Sequence, residues 1–232
     1  MLTFLFPLES ILPLGWQVAA VGLWLGLLLI VAEGLHRFTQ TGSEVVRKVV
    51  HIGTGNVILL AWWLQIPGWV AIAASIIAAA TALISYKFPI LPGINSVGRQ
   101  SLGTFFYAIS IGILVAWFWP LELPQYAVIG ILIMTYGDGL AALIGQRFGQ
   151  HPYQFWGEKK SWEGSATMGM VSFMITASIL ALVEGNLWNI GIIALGVAGL
   201  ATGLEAFSKL GIDNLTVPIG SAAFCFFLHQ IL

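Results

Sequence analysis

An aspartate inside a hydrophobic run is the first residue that asks for a chemical reason. Asp138 sits in Tyr136-Gly-Asp-Gly, within a segment that begins near Gln125 and stays apolar to about Ile144. An ionised carboxylate at the centre of a bilayer costs about 2.5–3.5 kcal/mol on insertion scales, so such an acid marks a functional site by default. Gly137 and Gly139 on either side let backbone approach a ligand closely. A carboxylate at this depth can hold Mg²⁺ or take the proton of a substrate hydroxyl. Asp138, Ala141, Gly145 and Gly149 recur at spacings of three, four and four, one face of a helix. A small-residue helix contact accounts for the two glycines but not for Asp138.

Three further clusters carry ionisable groups. His151, Glu158, Lys159, Lys160, Ser161 and Glu163 crowd one short segment of a chain that is only 8% charged. Its lysines suit phosphate oxygens, Ser161 and Ser165 offer hydroxyls, and Glu163 can bind a metal. A solvated basic loop is the plainer account of Lys159 and Lys160. The segment has no GxxxxGK[ST] phosphate loop, and the chain has neither a zinc-type His/Cys cluster nor a Gly-x-Ser-x-Gly elbow.

In Glu44-Val-Val-Arg-Lys-Val-Val-His51, Arg47 and His51 are i,i+4 neighbours on a helix and Lys48 lies about 100° round. Two cations and an imidazole at a membrane mouth suit phosphates, although Arg47 and Lys48 alone also read as headgroup anchors. The following Gly53, Thr54, Gly55 and Asn56 are wasted on lipid and suit a lined cavity. Glu205 and the Asp213-Asn214 pair form the last cluster. There, Asp213 is a candidate helix N-cap, and Glu205 is placed to snorkel or to pair with Lys209 at i,i+4.

The elements that position these residues are membrane spans. Hydrophobic residues make up 58% of the 232 residues, and the mean hydropathy is +0.92. Soluble domains carry about 25% charged residues, so a water-soluble globule is excluded. A span needs about 20 apolar residues. The candidates are Leu14–Leu35, Val49–Leu64, Trp69–Tyr86, Leu102–Trp119, Gln125–Ile144, Ala166–Val183, Leu187–Ala206 and Val217–Ile231. The expected fold is therefore all-α: one polytopic membrane bundle of seven or eight helices over residues 1–232, with its polar site segment at about 136–165. Trp16, Trp62, Trp63, Trp69, Trp117, Trp119 and Trp188 near span ends fit an interfacial aromatic belt. The N-terminus lacks the basic region and cleavage site of a signal peptide, so its first apolar run is expected to be retained.

All nine Lys and Arg residues fall in connections that follow odd-numbered spans. Under the positive-inside rule both termini lie outside and the site faces the cytoplasm. The connections on the other side hold Glu9, Glu122 and Glu184. A net charge of −1 and the lack of a basic tail give no reason to expect nucleic acid. Cys225 has no partner for an internal disulfide and reads as core packing. With no internal repeat, an inverted-repeat transporter gains no support. Residues alone thus lead to a membrane enzyme or transporter with a cytoplasmic polar site.

At these residues the chain resembles the CTP-dependent polyprenol kinases, and among them the phytol kinases most. Arg47-Lys-Val-Val-His51, Tyr136-Gly-Asp-Gly-Leu-Ala141, Lys159-Lys-Ser-Trp-Glu-Gly-Ser165 and Asp213-Asn214…Pro218 occur in that order. Asp138, Ala141, Gly145, Gly149, Lys159, Lys160, Ser161, Glu163 and Gly164 match the family's CTP-binding signature. The resemblance implies transfer of the γ-phosphoryl of CTP to the hydroxyl of a long-chain isoprenoid alcohol, beside membrane lipids and with Mg²⁺. It puts metal and the hydroxyl proton on Asp138, with Glu163 and Asp213 as further metal ligands. Arg47, Lys48, Lys159 and Lys160 hold the triphosphate. Ser161 and Gly164 belong to the same nucleotide site, while Gly145 and Gly149 permit its close approach. His51, Asn56, Glu205 and Asn214 are additional candidates. The alternatives are a cytidylyltransferase, whose signature is related, and an ion- or metabolite-coupled transporter binding its ion at Asp138 and Glu205. The near absence of ionisable groups from the outer halves of the spans weighs against transport.

Overall fold

A computed structural model describes residues 12–39, 42–87, 102–155, 158–184 and 187–232. Glu9, Arg99 and Gly157 lie outside the described residues, as do the side chains of Lys87, Glu184 and Trp188. The helices in chain order are α1 (Leu14–Phe38), α2 (Ser43–Gly55), α3 (Val57–Trp63), α4 (Gly68–Lys87), α5 (Gly103–Phe118) and α6 (Pro124–Leu132). A π-helical segment (Ile133–Asp138) then runs into α7 (Gly139–Phe148). A hairpin of β1 (Pro152–Phe155) and β2 (Glu158–Ser161) leads to α8 (Trp162–Glu184), α9 (Leu187–Ala206) and α10 (Asp213–Ile231). The chain is thus all-α, as expected, with one small hairpin that the apolar pattern did not announce.

Seven helical stretches are long and apolar enough to cross a membrane. The remaining expected span, the fourth (Leu102–Trp119), is α5, whose 16 residues reach about 24 Å at helical rise against a hydrocarbon core of about 30 Å. The second span starts earlier than its apolar run because α2 carries Glu44, Arg47 and Lys48 on its first turns, and it breaks at Asn56 before α3. The last span likewise begins at Asp213 rather than Val217.

Pro124 opens α6, where its missing N–H is no loss. From there α6, the π segment and α7 form one span, Pro124–Phe148; 67% of the residues in its apolar 18-residue stretch are buried, against 6% for α1. This span is the axis of the bundle. Its side chains Val128, Ile129, Ile131, Ile133 and Met134 are sealed from solvent together with Leu114, Phe118, Met168, Val197 and Cys225. Helix α10 lies against α6 and α5, and α8 packs along α9 and α7. Gly130 makes the α6–α10 approach possible: a Cβ there would sit 2.3 Å from the carbonyl oxygen of Pro218. Cys225 is buried, as its apolar neighbours imply.

Polar contacts sort the connections into two ends. Trp119 Nε1 donates to the Ile66 carbonyl at 3.1 Å, Tyr126 pairs with His229, and Asn189 Nδ2 donates to the Leu232 carbonyl at 2.7 Å. These join even-numbered connections and the C-terminus. Lys160, by contrast, reaches the turn between α9 and α10, so the connection that precedes α8 meets the one that precedes α10 at the other end.

Candidate functional site

Asp138 ends the π-helical segment and precedes α7. A π bulge inserts a residue into the helical ladder and occurs frequently at functional sites. Ten residues, about 15 Å at helical rise, separate Asp138 from the end of the span at Phe148. One helical turn of α2 faces it. Lys48 Nζ lies 2.5 Å from Asp138 Oδ2, with the lysine side chain 4% and the carboxylate 16% exposed. His51 Nε2 stands 3.8 Å from the same oxygen and 3.3 Å from the Met134 carbonyl. The carbonyl can only accept, so Nε2 carries the proton in that hydrogen bond. The imidazole also lies against the ring of Tyr107, with centroids 4.5 Å apart.

The pairing differs from the i,i+4 reading of Arg47 with His51. Lys48 and His51, at i,i+3, turn towards Asp138. Arg47 binds its own helix neighbour Glu44 through Nη2–Oε1 at 2.5 Å and Nε–Oε2 at 3.0 Å. Arg47 still lies within electrostatic reach of Asp138 and Asp213. Beyond His51, the break between α2 and α3 and the π segment are tied together. Tyr136 donates to Asn56 Oδ1 at 2.8 Å, and Asn56 Nδ2 donates to the Ile52 carbonyl at 2.8 Å. Two helix irregularities thus face each other inside the bundle, where irregular backbone persists only if protein or a cavity surrounds it.

A second cluster sits at the hairpin. In the antiparallel register Tyr153 is opposite Lys160, and Gln154 is opposite Lys159. Side chains alternate along a strand, so Lys160 shares the Tyr153 face while Lys159 takes the other. Lys160 Nζ is 2.6 Å from Glu205 Oε1, contacts the Glu205 carbonyl and lies 3.3 Å from Ser208 Oγ. Glu205 therefore pairs across the bundle with Lys160, not along its helix with Lys209. Asp213 takes the first position of α10, after Ile212, and so is not the N-cap. Its Oδ1 accepts the Asn214 backbone N–H at 3.0 Å and Nδ2 at 3.1 Å, and its Oδ2 is 3.1 Å from Ser208 Oγ. Asp138, Glu205 and Asp213 lie within electrostatic reach of one another.

Glu163 stands apart from that group. It accepts from His151 at Nδ1 (2.7 Å) and at the backbone N–H (3.2 Å). Among the described residues no three His, Cys, Asp or Glu side chains gather as a metal cluster. Asp138, Asp213 and Glu163 are therefore not three ligands of one preformed cage.

Gly145, Gly149 and Gly164 form a close junction around Ser161. A Cβ on Gly145 would meet Ser161 Oγ at 3.0 Å, one on Gly149 would meet Ser161 Cβ at 2.9 Å, and one on Gly164 would meet the Ala141 carbonyl at 3.0 Å. Ser161 Oγ accepts the Gly164 N–H at 3.1 Å. The helix-contact account of these glycines holds, with the hairpin end and the start of α8 as the partner.

Sequence reasoning passed over Glu44, Tyr107, Tyr136, His151 as a partner of Glu163, and Ser208. Tyr136 was visible in the Tyr-Gly-Asp-Gly motif itself. Ser208 gives no local signal, because its role depends on a turn joined to a strand far away in sequence.

No family model matches the chain, and no solved structure matches it. A phytol kinase from Synechocystis sp. is 53% identical over 211 residues, covering 91% of this chain and 91% of the relative. Phytol kinase 1, chloroplastic, from Arabidopsis thaliana is 27% identical over 221 residues, covering 84% of this chain and 69% of the relative. A probable phytol kinase 2, chloroplastic, from Glycine max is 29% identical over 197 residues, covering 79% and 65%. At that identity and coverage of the Synechocystis protein, this chain belongs to the phytol kinase family.

Proposed function

We propose that this chain is a membrane kinase that transfers the γ-phosphoryl group of CTP to the primary hydroxyl of phytol, with its site at the cytoplasmic or stromal face. One observation carries the reading to residues: Asp138, on a π-helical turn of the most buried span, is paired with Lys48 and lies within charge reach of Asp213. An alcohol brings no charge of its own, so its hydroxyl can reach this depth while its tail lies among the spans. In the reaction the hydroxyl oxygen bonds to the γ-phosphorus and the bond to the β–γ bridging oxygen breaks. CDP leaves, and the hydroxyl proton passes to the Asp138 carboxylate. Phosphoryl transfer of this kind depends on positioning and charge neutralisation more than on covalent chemistry.

The donor set suits Mg²⁺, which is commonly bound by one or two carboxylates together with substrate phosphates rather than by an all-protein cage. Asp138 and Asp213 are the carboxylates that would hold it. Glu163, engaged by His151, is the weaker candidate. When bound, Mg²⁺ neutralises charge on the phosphate oxygens. Arg47 and Lys159 carry positive charge for the triphosphate, while Lys48, buried against Asp138, holds that carboxylate in place.

Membranes containing the protein, given phytol with CTP, UTP, ATP or GTP in turn, test the proposal, with phytyl phosphate followed by mass spectrometry. Product with CTP that vanishes in Asp138→Asn is expected. Product with ATP and none with CTP would overturn the choice of donor. Absence of product with every nucleotide and every prenyl alcohol would overturn the kinase.

A further inference from the structure

The two adjacent lysines of Lys159-Lys160 do different things. Strand alternation sends Lys160 to the bundle side of the hairpin, where Tyr153 also bonds Ser165 Oγ at 2.5 Å and Phe155 packs on Phe207 with ring centroids 4.8 Å apart. Lys159 is exposed and makes no ion pair among the described residues. An ammonium has three protons to donate. All three of Lys160 have acceptors within the protein: the Glu205 carboxylate, the Glu205 carbonyl and Ser208 Oγ. The pair is largely withdrawn from solvent, with side-chain exposures of 17% and 11%. A phosphate can claim this lysine only by leaving Glu205 buried without its partner.

Ser208 passes the constraint on. Its hydroxyl has one proton, and both the Glu205 carbonyl and Asp213 Oδ2 lie within reach, at 2.8 and 3.1 Å. Turned towards Asp213, the hydroxyl proton joins that carboxylate to the Lys160–Glu205 pair. The intervening turn holds Leu210 at φ 58° and Gly211 at φ 82°. A left-handed leucine is a strained conformation that persists where its surroundings over-determine it. The Lys160–Glu205–Ser208–Asp213 chain supplies such a restraint.

We infer that Lys160 is a positioning residue rather than a phosphate ligand. Through Glu205 and Ser208 it fixes the α9–α10 turn and thereby aims the Asp213 carboxylate, while Lys159 is the cation of the pair left for the nucleotide. The inference deepens the kinase reading above and rests on it for its kinetic consequences.

The full-length protein in nanodiscs tests it with four variants. Lys160→Met is expected to lower kcat about 10- to 100-fold, the range for removing a group that orients a ligand, with the KM for CTP nearly unchanged. Ser208→Ala, the mildest change, should raise the Mg²⁺ concentration needed for half-maximal rate several-fold. Lys159→Met should raise the KM for CTP instead. The charge-exchanged double variant K160E/E205K should recover much of the rate lost by either single change, as a pairing role requires. A selective rise in the KM for CTP in Lys160→Met, unrescued by the exchange, would overturn the inference. Thermal midpoints of the same single and double variants form a cycle that reads the Lys160–Glu205 coupling without any assay of activity. A missing coupling would remove the strut even if the kinase is real. A clear coupling in a protein that phosphorylates no alcohol would instead overturn the kinase and keep the strut.

Discussion

The two ends of the bundle satisfy their buried polar groups by opposite means. At the end where the even-numbered connections meet, neutral groups suffice: an indole on a carbonyl, a phenol on an imidazole and an amide on the C-terminal carbonyl. At the other end, two lysines are buried against two carboxylates, Lys48 with Asp138 and Lys160 with Glu205, while Asp213 lies nearby. Taking an ion pair out of water costs several kcal/mol per ion, and its mutual attraction often does no better than an apolar pair of similar size. Holding helices together is therefore no reason to bury these charges, because the neutral end holds its helices without them. On the proposed reading, the charged end keeps carboxylates and ammonium groups in place for a charged ligand. A lipid kinase needs that at one face of its membrane only.

The sharpest way to break this contrast is at Asp138. Asp138→Asn keeps the shape and removes the charge, and phytol phosphorylation should fall by at least about 10²–10³-fold, the range for deleting a pre-organised electrostatic group. Near-normal activity would make the pair structural and cancel the distinction between the ends. Next in size is Lys48→Met, which strands a buried carboxylate. A loss of about 3–5 kcal/mol is expected from breaking a buried pair by one partner, read from thermal or denaturant unfolding of the protein in micelles. The double variant K48M/D138N removes both charges and should regain most of that stability while staying inactive. Recovery of activity along with stability would mean that the pair does no chemistry.

How much of this was open to sequence reasoning follows from what local patterns contain. Hydrophobic runs revealed the spans, because a bilayer demands about 20 apolar residues in one stretch. The intramembrane acid was equally plain, since a carboxylate costs too much in such a run to be kept there without a use. Partners were not legible. Helical spacing correctly separated Lys48 from Arg47 but did not say which of the two faces would meet Asp138, 90 residues away. Lys159 and Lys160 look equivalent in the sequence, because a four-residue strand is too short for its alternation to show. The π segment left its trace only in Gly137 and Gly139, as one inserted residue barely disturbs an apolar run. The signature glycines illustrate the converse: their spacing was clear, yet Gly145 and Gly149 sit against Ser161, a neighbour supplied by the hairpin fold.

Smaller changes sharpen the contrast from the neutral end. Tyr126 is 3% exposed, and its hydroxyl pairs with Nδ1 of His229. Tyr126→Phe removes one neutral hydrogen bond and should cost about 1 kcal/mol, visible in the melting of the purified protein, with the rate of phytol phosphorylation unchanged. A large loss of rate would tie the far end to catalysis and argue for a site that runs through the membrane, as a transporter requires.

The smallest expected effect separates burial from mere charge. Glu33 and Arg37 form an i,i+4 pair on α1, with side chains 54% and 69% exposed. Arg37 lies in the last turn of α1, which leads into the connection before α2, so by topology it shares an end with Lys48 and Lys160. If charge density at that end were what mattered, Glu33→Gln would lower activity as the buried substitutions do. If the buried pairs matter because they are desolvated and aimed, this exposed pair contributes almost nothing, since water and salt already screen it. Rates and melting curves of Glu33→Gln should overlay those of the unaltered protein at low and high salt. A salt-dependent loss of rate would move the working charge of this end from the buried pairs to its open surface.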